Sequence, residues 1–436
     1  MSRPRAIAVA VGVLALLLAL TPFVPRGDDD KGSLRPSGDR VGAKAALLSA
    51  NTVGRSRVTP AMQAEIDRVV AAGRALGRTG TKAGLARRAA ELVRCAELDG
   101  QRYCLGVGWT DDTEADVRAR VATAARVAAR STSTTTTGDL DASDALARTA
   151  SMKPAARAAA ERAELESAAR SVAKVWLLRH EIQGVALPAD FLARHPEARA
   201  AAPTSSRTTK PTATPTPTAS ATPTRTPKPT ASASPTAVAP SKTKKGPDYP
   251  RRAAILNPHR VAEQTRTYWC GPTSMQMIAW GWAGKAHSQD YWAKKLGTTT
   301  SGTGITAMVQ TINRSTGWDS TKYAGSYITL DIGDWTYKQW MLLMMRHIVD
   351  YRAPVVLHPI LHKAYYPYLD DDGSGHYQVG RGYDKNGKKP ALLGYFEPWN
   401  QQRFDPSEPY IDRVQWRNAY KSYRANEAHY LHNIGV

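Results

Sequence analysis

Cys270 stands in Tyr268-Trp269-Cys270-Gly271-Pro272-Thr273-Ser274, just ahead of an apolar helical pattern. Pro272 suits the first turn of a helix, where its missing N–H costs nothing. Met275, Ile278, Ala279 and Trp282 then recur at helical spacing. The thiol is therefore expected at a helix N-terminus, where unpaired N–H groups and the positive dipole end favour thiolate over thiol. A thiolate there is a nucleophile, and the chemistry it suits is acyl transfer. The tetrahedral intermediate of that reaction needs donors aimed at its oxyanion. The Cys270 backbone N–H and the side chain of Gln264, six residues earlier, could supply them.

A cysteine nucleophile needs a base and a group that orients the base. Among ten histidines, His376 has the most informative surroundings. It opens a strand-like run through Asp384, followed by Lys385-Asn386-Gly387-Lys388 and a returning run from Ala391 to Pro398. Asn-Gly between strands signals a two-residue hairpin, because both turn positions need positive φ. A register with Lys385 facing Lys388 sets His376 opposite Glu397. Cross-strand Cβ atoms are roughly 4.5–5.5 Å apart, within reach of an imidazole–carboxylate hydrogen bond. A bulge at Gly380 or Gly382 would shift that register.

Gln264, the Cys270 segment, Arg352-Ala353-Pro354-Val355-Val356-Leu357, Gly375-His376-Tyr377 and Gly382-Tyr383-Asp384 occur in this order. Together they resemble the bacterial peptidase C39-like family, within the papain-like thiol hydrolases. The resemblance covers roughly Asp248 to Val414. It implies an α+β papain-like domain, with the nucleophile on a helix and the base on an antiparallel sheet. It assigns Cys270 as nucleophile, His376 as base, Gln264 as oxyanion donor and Glu397 as the orienting acid. The family usually has Asp followed by Pro in the third role. Glu397-Pro398 is one methylene longer here, and Asn400 is a reserve candidate.

Other groups carry less chemistry. Asp370-Asp371-Asp372-Gly373-Ser374-Gly375 reads as a solvated acidic loop, short of a full calcium-binding pattern. Trp280, Trp282, Trp292, Trp335 and Trp340 read as core more readily than as a groove lining. His358 and His362 lack a third ligand at metal spacing. No metal site and no cofactor motif is read.

The elements around this chemistry fall into unlike halves. Five aromatic residues precede Asp248 and 28 follow from it. Residues 1–25 have the layout of a signal peptide or signal anchor, with Arg3 and Arg5 before an apolar run from Ala6 to Leu20. Residues 41–200, rich in Ala and Arg, read as an all-α domain. Helices are expected around Glu65–Val70, around Asp116–Val121 and from Ala150 to His180, with a loop at Ser131–Thr137. Cys95 and Cys104 suit a local disulfide, with two free thiols as the alternative. A helical spacer, a binding module and a pro-region all fit this half. Residues 201–247 are a Pro/Thr/Ser-rich linker, read as a stalk or as a passive tether. Residues 248–436 form the C39-like domain.

The formal net charge of +21 suits an anionic envelope surface, or simply solubility. No nucleic-acid motif accompanies it. The chain reads as an exported, secreted or membrane-anchored cysteine peptidase or amidase acting on envelope or extracellular peptides. The alternatives are an acyltransferase or transpeptidase using the same thiol, an inactive wall-binding module on a stalk, or a structural wall protein.

Overall fold

The structure, a computed structural model, describes residues 47–75, 91–130, 138–140, 148–149, 152–200, 244–317, 319–370, 372–386, 391–399, 401–404 and 410–436. The expected signal segment, the Ser131–Thr137 loop, most of the Pro/Thr linker and Asn400 lie outside them.

Among the described residues ten strands form one sheet: β1 (Cys95–Leu98), β2 (Gln101–Cys104), β3 (Gly108–Thr110), β4 (Arg252–Ala254), β5 (Thr329–Asp331), β6 (Val355–Leu357), β7 (Gln378–Asp384), β8 (Leu392–Phe396), β9 (Val414–Asn418) and β10 (Asn433–Gly435). The order across it is β1-β2-β3-β5-β10-β6-β7-β8-β9, with β4 beside β7. The pairs are antiparallel except β3 with β5, which is parallel through Trp109 and Leu330. With its helices this makes a mixed α/β protein.

The all-α expectation for residues 41–200 is corrected by β1 to β3. Their cause is local. Asp99 and Gly100 take φ of 53° and 76°, and Leu98 pairs with Gln101 directly across them. An Asp-Gly turn with two positive φ values matches the twist of a tight hairpin. Alternation then turns Ala96, Leu98, Tyr103 and Trp109 into the core. Cys95 and Cys104 face each other across this hairpin and form the disulfide. The amphipathic segments do become helices, Pro60–Ala75 and Glu114–Arg130. The long helix expected from Ala150 is two, Pro154–Ala169 and Val172–Gln183, interrupted where the Ser171 hydroxyl donates to the Ala168 carbonyl.

Helix Cys270–Ala283 packs on β7 and against helices Gln289–Leu296 and Ile305–Ser315. Helix Tyr337–Arg346 starts in a capping box between Thr336 and Gln339 and also packs on β7. Buried polar ties join the part before the linker to the part after it. Asn433 Nδ2 donates to the Val107 carbonyl at 2.7 Å, and Thr110 Oγ1 to Asp331 at 3.0 Å. Arg346 pairs with Glu181. Lys174 Nζ reaches the carbonyls of Ala324, Ser326 and Val436 at 2.9, 2.7 and 3.1 Å.

Candidate functional site

Cys270 is the first residue of its helix, and the Thr273 N–H closes the opening turn on the Trp269 carbonyl at 3.0 Å. The backbone N–H groups of Tyr377 and Gly271 point at the sulfur. The thiol is nonetheless fully buried, and burial pushes its pKa well above the ordinary value, with the charges of Asp139 and Glu397 adding to the effect. The expected thiolate is not favoured in this state. A helix end contributes about half an elementary charge, and desolvation outweighs it here.

His376 and Glu397 are fully buried, with Nε2 and Oε1 2.7 Å apart. The register behind this contact differs from the expected one. Asp384 pairs with Leu392, so Lys385 to Ala391 lie between the strands rather than a two-residue turn. A bulge between Gly380 and Gly382 shifts the pairing again, and Val379 faces Phe396. On that register Gln378, not His376, is the residue opposite Glu397. The two side chains meet diagonally, beyond the paired ends of β7 and β8. Tyr368 Oη and Gln378 Nε2 donate to Glu397 Oε2 at 2.9 and 2.7 Å, and the Trp399 N–H to Oε1 at 2.9 Å. Burial alone would raise the Glu397 pKa, but the His376 ring and these donors hold it below the ordinary range. His376 thus comes to the sulfur's side through its neighbour, since Tyr377 follows it directly and gives its N–H to Cys270.

Gln264 is also buried, but its amide donates to the carbonyls of Arg266 and Thr267 at 3.0 and 2.8 Å. The donors expected at an oxyanion are occupied, and the side chain clamps the loop leading to Cys270. Trp292, Trp335 and Trp340 are core residues. The acidic loop is tied to Lys363, whose N–H donates to Asp372 at 2.8 Å and whose Nζ donates to the Asp370 carbonyl at 3.0 Å.

The site contains residues the sequence did not suggest. Gly138, Asp139 and Leu140, from before the linker, lie over Cys270. A Cβ on Gly138 would stand 2.8 Å from the Cys270 sulfur and 2.6 Å from the Tyr268 carbonyl carbon. Asp139 lies beside Thr303 as in a parallel strand pair. The Thr303 N–H donates to the Gly138 carbonyl at 2.9 Å and the Leu140 N–H to the Thr303 carbonyl at 3.2 Å. On the other side the Asp139 N–H reaches the Gly375 carbonyl at 3.3 Å. The buried Asp139 carboxylate has Oδ1 2.9 Å from His358 Nε2 and 3.1 Å from the Tyr377 hydroxyl, with Oδ2 2.9 Å from His429 Nε2. Burial would raise its pKa, yet the two rings hold it far below the ordinary carboxylate value. No motif or spacing signals these contacts, because the partners come from segments far apart in the chain.

Asp139, His358 and His429 have the donor types of a metal site, with ligand atoms within 4.8 Å of one another. His358 leaves Nε2 free to ligate, since its Nδ1 donates to Asn433 Oδ1 at 2.8 Å, but the hydrogen bond of His429 argues against it. His429 Nδ1 accepts the Leu431 N–H at 3.1 Å, so the ring proton sits on Nε2, the atom facing Asp139. Burial holds the His429 pKa down at about 4, so the ring is neutral near pH 7. A protonated Nε2 has no lone pair for a cation. The pocket suits a carboxylate.

Residues 256–428 match the model of the Peptidase_C39 like family, which supports a cysteine-peptidase type of function for this C-terminal region. Gln264, Cys270, His376 and Glu397 fall inside the match, and Gly138 to Leu140 fall outside it. No curated protein and no solved structure matches the chain.

Proposed function

We propose that the C-terminal region, as a C39-like domain, is a papain-like cysteine peptidase that hydrolyses amide bonds with Cys270, His376 and Glu397. The carrying observation is the buried His376–Glu397 pair, one residue from the backbone N–H that contacts the Cys270 sulfur. With Nε2 given to Glu397, Nδ1 is the ring nitrogen that takes the thiol proton. The thiolate then attacks the amide carbonyl carbon, and backbone N–H groups at the helix start hold the oxyanion. His376 passes the proton to the leaving nitrogen as the C–N bond breaks. Water attacks the thioester, giving the carboxylic acid and restoring the thiol. Glu397 fixes the ring tautomer and stabilises the imidazolium. Gln264 orders the loop before Cys270.

Cys270→Ala is expected to abolish cleavage of a peptide library, and His376→Ala nearly to do so. Equal cleavage by purified Cys270→Ala and parent protein would overturn the assignment. The signal-like layout of residues 1–25 supports export, with extracellular or cell-wall peptides as substrates and an anionic surface nearby. Hydrolysis and transpeptidation separate by product analysis with and without an amine acceptor. A binding role without turnover is a second reading, favoured by the suppressed ionisation of Cys270. It predicts no turnover even after the thiol is made accessible.

A further inference from the structure

We infer that the groove between Thr303 and Gly375 is a peptide-binding cleft with a carboxylate subsite formed by Tyr377, His358 and His429, and that residues 138–140 of the same chain fill it as a tethered occupant. The inference rests on the peptidase reading for what the cleft serves, and on geometry for what it holds.

The groove treats residues 138–140 as it would an extended peptide. Backbone hydrogen bonds on both sides, to Thr303 and to Gly375, are indifferent to side chains. Selectivity comes from what each position can accept. Over the sulfur only glycine fits, since a Cβ on Gly138 would overlap both Cys270 and Tyr268, and φ is +110°. At the next position the carboxylate lies among three buried side chains: His429 Nε2 donates to it, the Tyr377 hydroxyl divides between it and the Thr303 carbonyl, and His358 Nε2 faces it at 2.9 Å. Gly375 is part of this fit, because a Cβ there would fall 2.4 Å from Asp139 Oδ2 and 2.5 Å from His429 Nε2. The Tyr430 hydroxyl then donates to the Leu140 carbonyl at 2.8 Å. Beyond Leu140 a cleft continues past Arg148, Thr306 and Leu431, leaving room for more chain.

The occupant blocks the reaction by position. A substrate carbonyl cannot approach a sulfur that already lies against Gly138, so turnover requires residues 138–140 to leave. The part of the chain before the linker therefore acts on the C-terminal part as an inhibitor in cis, through a segment whose removal exposes a site for peptides with glycine followed by an acidic residue.

The test measures iodoacetamide labelling of Cys270 in the full-length protein, read by mass spectrometry. Asp139→Ala removes the anchored carboxylate and is expected to raise the labelling rate about tenfold or more, because labelling follows the open population. Tyr430→Phe removes the hydrogen bond to the Leu140 carbonyl and is expected to give a smaller rise. A synthetic peptide of residues 135–143 is expected to slow labelling of Asp139→Ala, while the same peptide with alanine in place of Asp139, Asp141 being kept, does not. Parental labelling in a cooperatively melting Asp139→Ala protein overturns the inference. If that variant does not fold, parental labelling of Tyr430→Phe overturns it. Equal protection by the two peptides overturns the carboxylate subsite. An Asp139→Ala protein that labels quickly yet cleaves no peptide sinks the peptidase reading and leaves the occlusion standing.

Discussion

Glu397 keeps its charge in a fully buried position because four donors converge on its two oxygens, His376 among them. Glu397→Gln keeps the shape and loses the charge that stabilises an imidazolium. It is expected to lower kcat by about a hundredfold or more, with KM little changed. The same pair makes stability depend on pH. The folded pKa of Glu397 lies below its ordinary 4.5, so between the two values the folded state binds fewer protons than the unfolded state. Its stabilisation is present above about pH 4.5 and is lost as pH falls through the folded value. Acid unfolding followed by circular dichroism should steepen below about pH 3.8 in the parent, because Asp139 adds a second depressed carboxylate. Glu397→Gln should show a shallower fall over that window. The meeting of His376 and Glu397 was legible from residue types and rough spacing, through a register that the sheet does not have. A long carboxylate side chain tolerates a slip of two positions that a shorter one would not. Asp139 was illegible, since an aspartate after a Ser/Thr run reads as a loop until its histidines are brought to it.

Two short turn signals were available, and they led in opposite directions. Asn386-Gly387 has the hairpin composition, but the pairing of β7 with β8 stops at Asp384 and Leu392, and the bulge beside Arg381 re-aims the strand. Arg381 itself donates to the carbonyls of Ile255 and Leu256 at 3.0 and 2.9 Å, which ties the bulge to the end of β4. Asp99-Gly100, inside an Ala/Arg-rich stretch, makes the tight hairpin. Composition averaged over residues 41–200 concealed it, because a few strand residues weigh little against many alanines. The disulfide closes that hairpin. Replacing Cys95 and Cys104 by alanine should cost about 2–3 kcal/mol, read as a lower Tm in thermal unfolding. An unchanged Tm would mean that the hairpin is held by its turn and packing alone. Lys174 offers a second test at this scale. Its ammonium reaches three oxygens from two other segments, and Lys174→Met removes that donor from the Ala324 and Ser326 carbonyls, while Val436 keeps the Ile328 N–H at 2.7 Å. A loss of about 2–5 kcal/mol in denaturant unfolding is expected.

At the scale of the molecule, the sequence suggests two halves on a tether, and the sheet runs through both. β3 lies beside β5, Arg346 pairs with Glu181, and Asn433 reaches back to Val107. Cleavage by a protease between residues 201 and 243 should therefore leave the two pieces eluting together in size-exclusion chromatography, separating only in denaturant. Separate elution in native buffer would show that these ties do not hold the pieces without the covalent link. Hydrophobic periodicity cannot reveal such a join, because a strand edge looks the same whether its partner is near or far in the chain.

Attachment also sets the terms of competition at the cleft. Gly138 to Leu140 belong to the same molecule as Cys270, so their local concentration at the groove is on the order of millimolar, however dilute the protein is. A free peptide of equal intrinsic affinity would have to reach that level before it occupied half of the sites. Dilution would never relieve the block, whereas backbone cuts on both flanks of the tripeptide would convert it into an ordinary, outcompeted ligand.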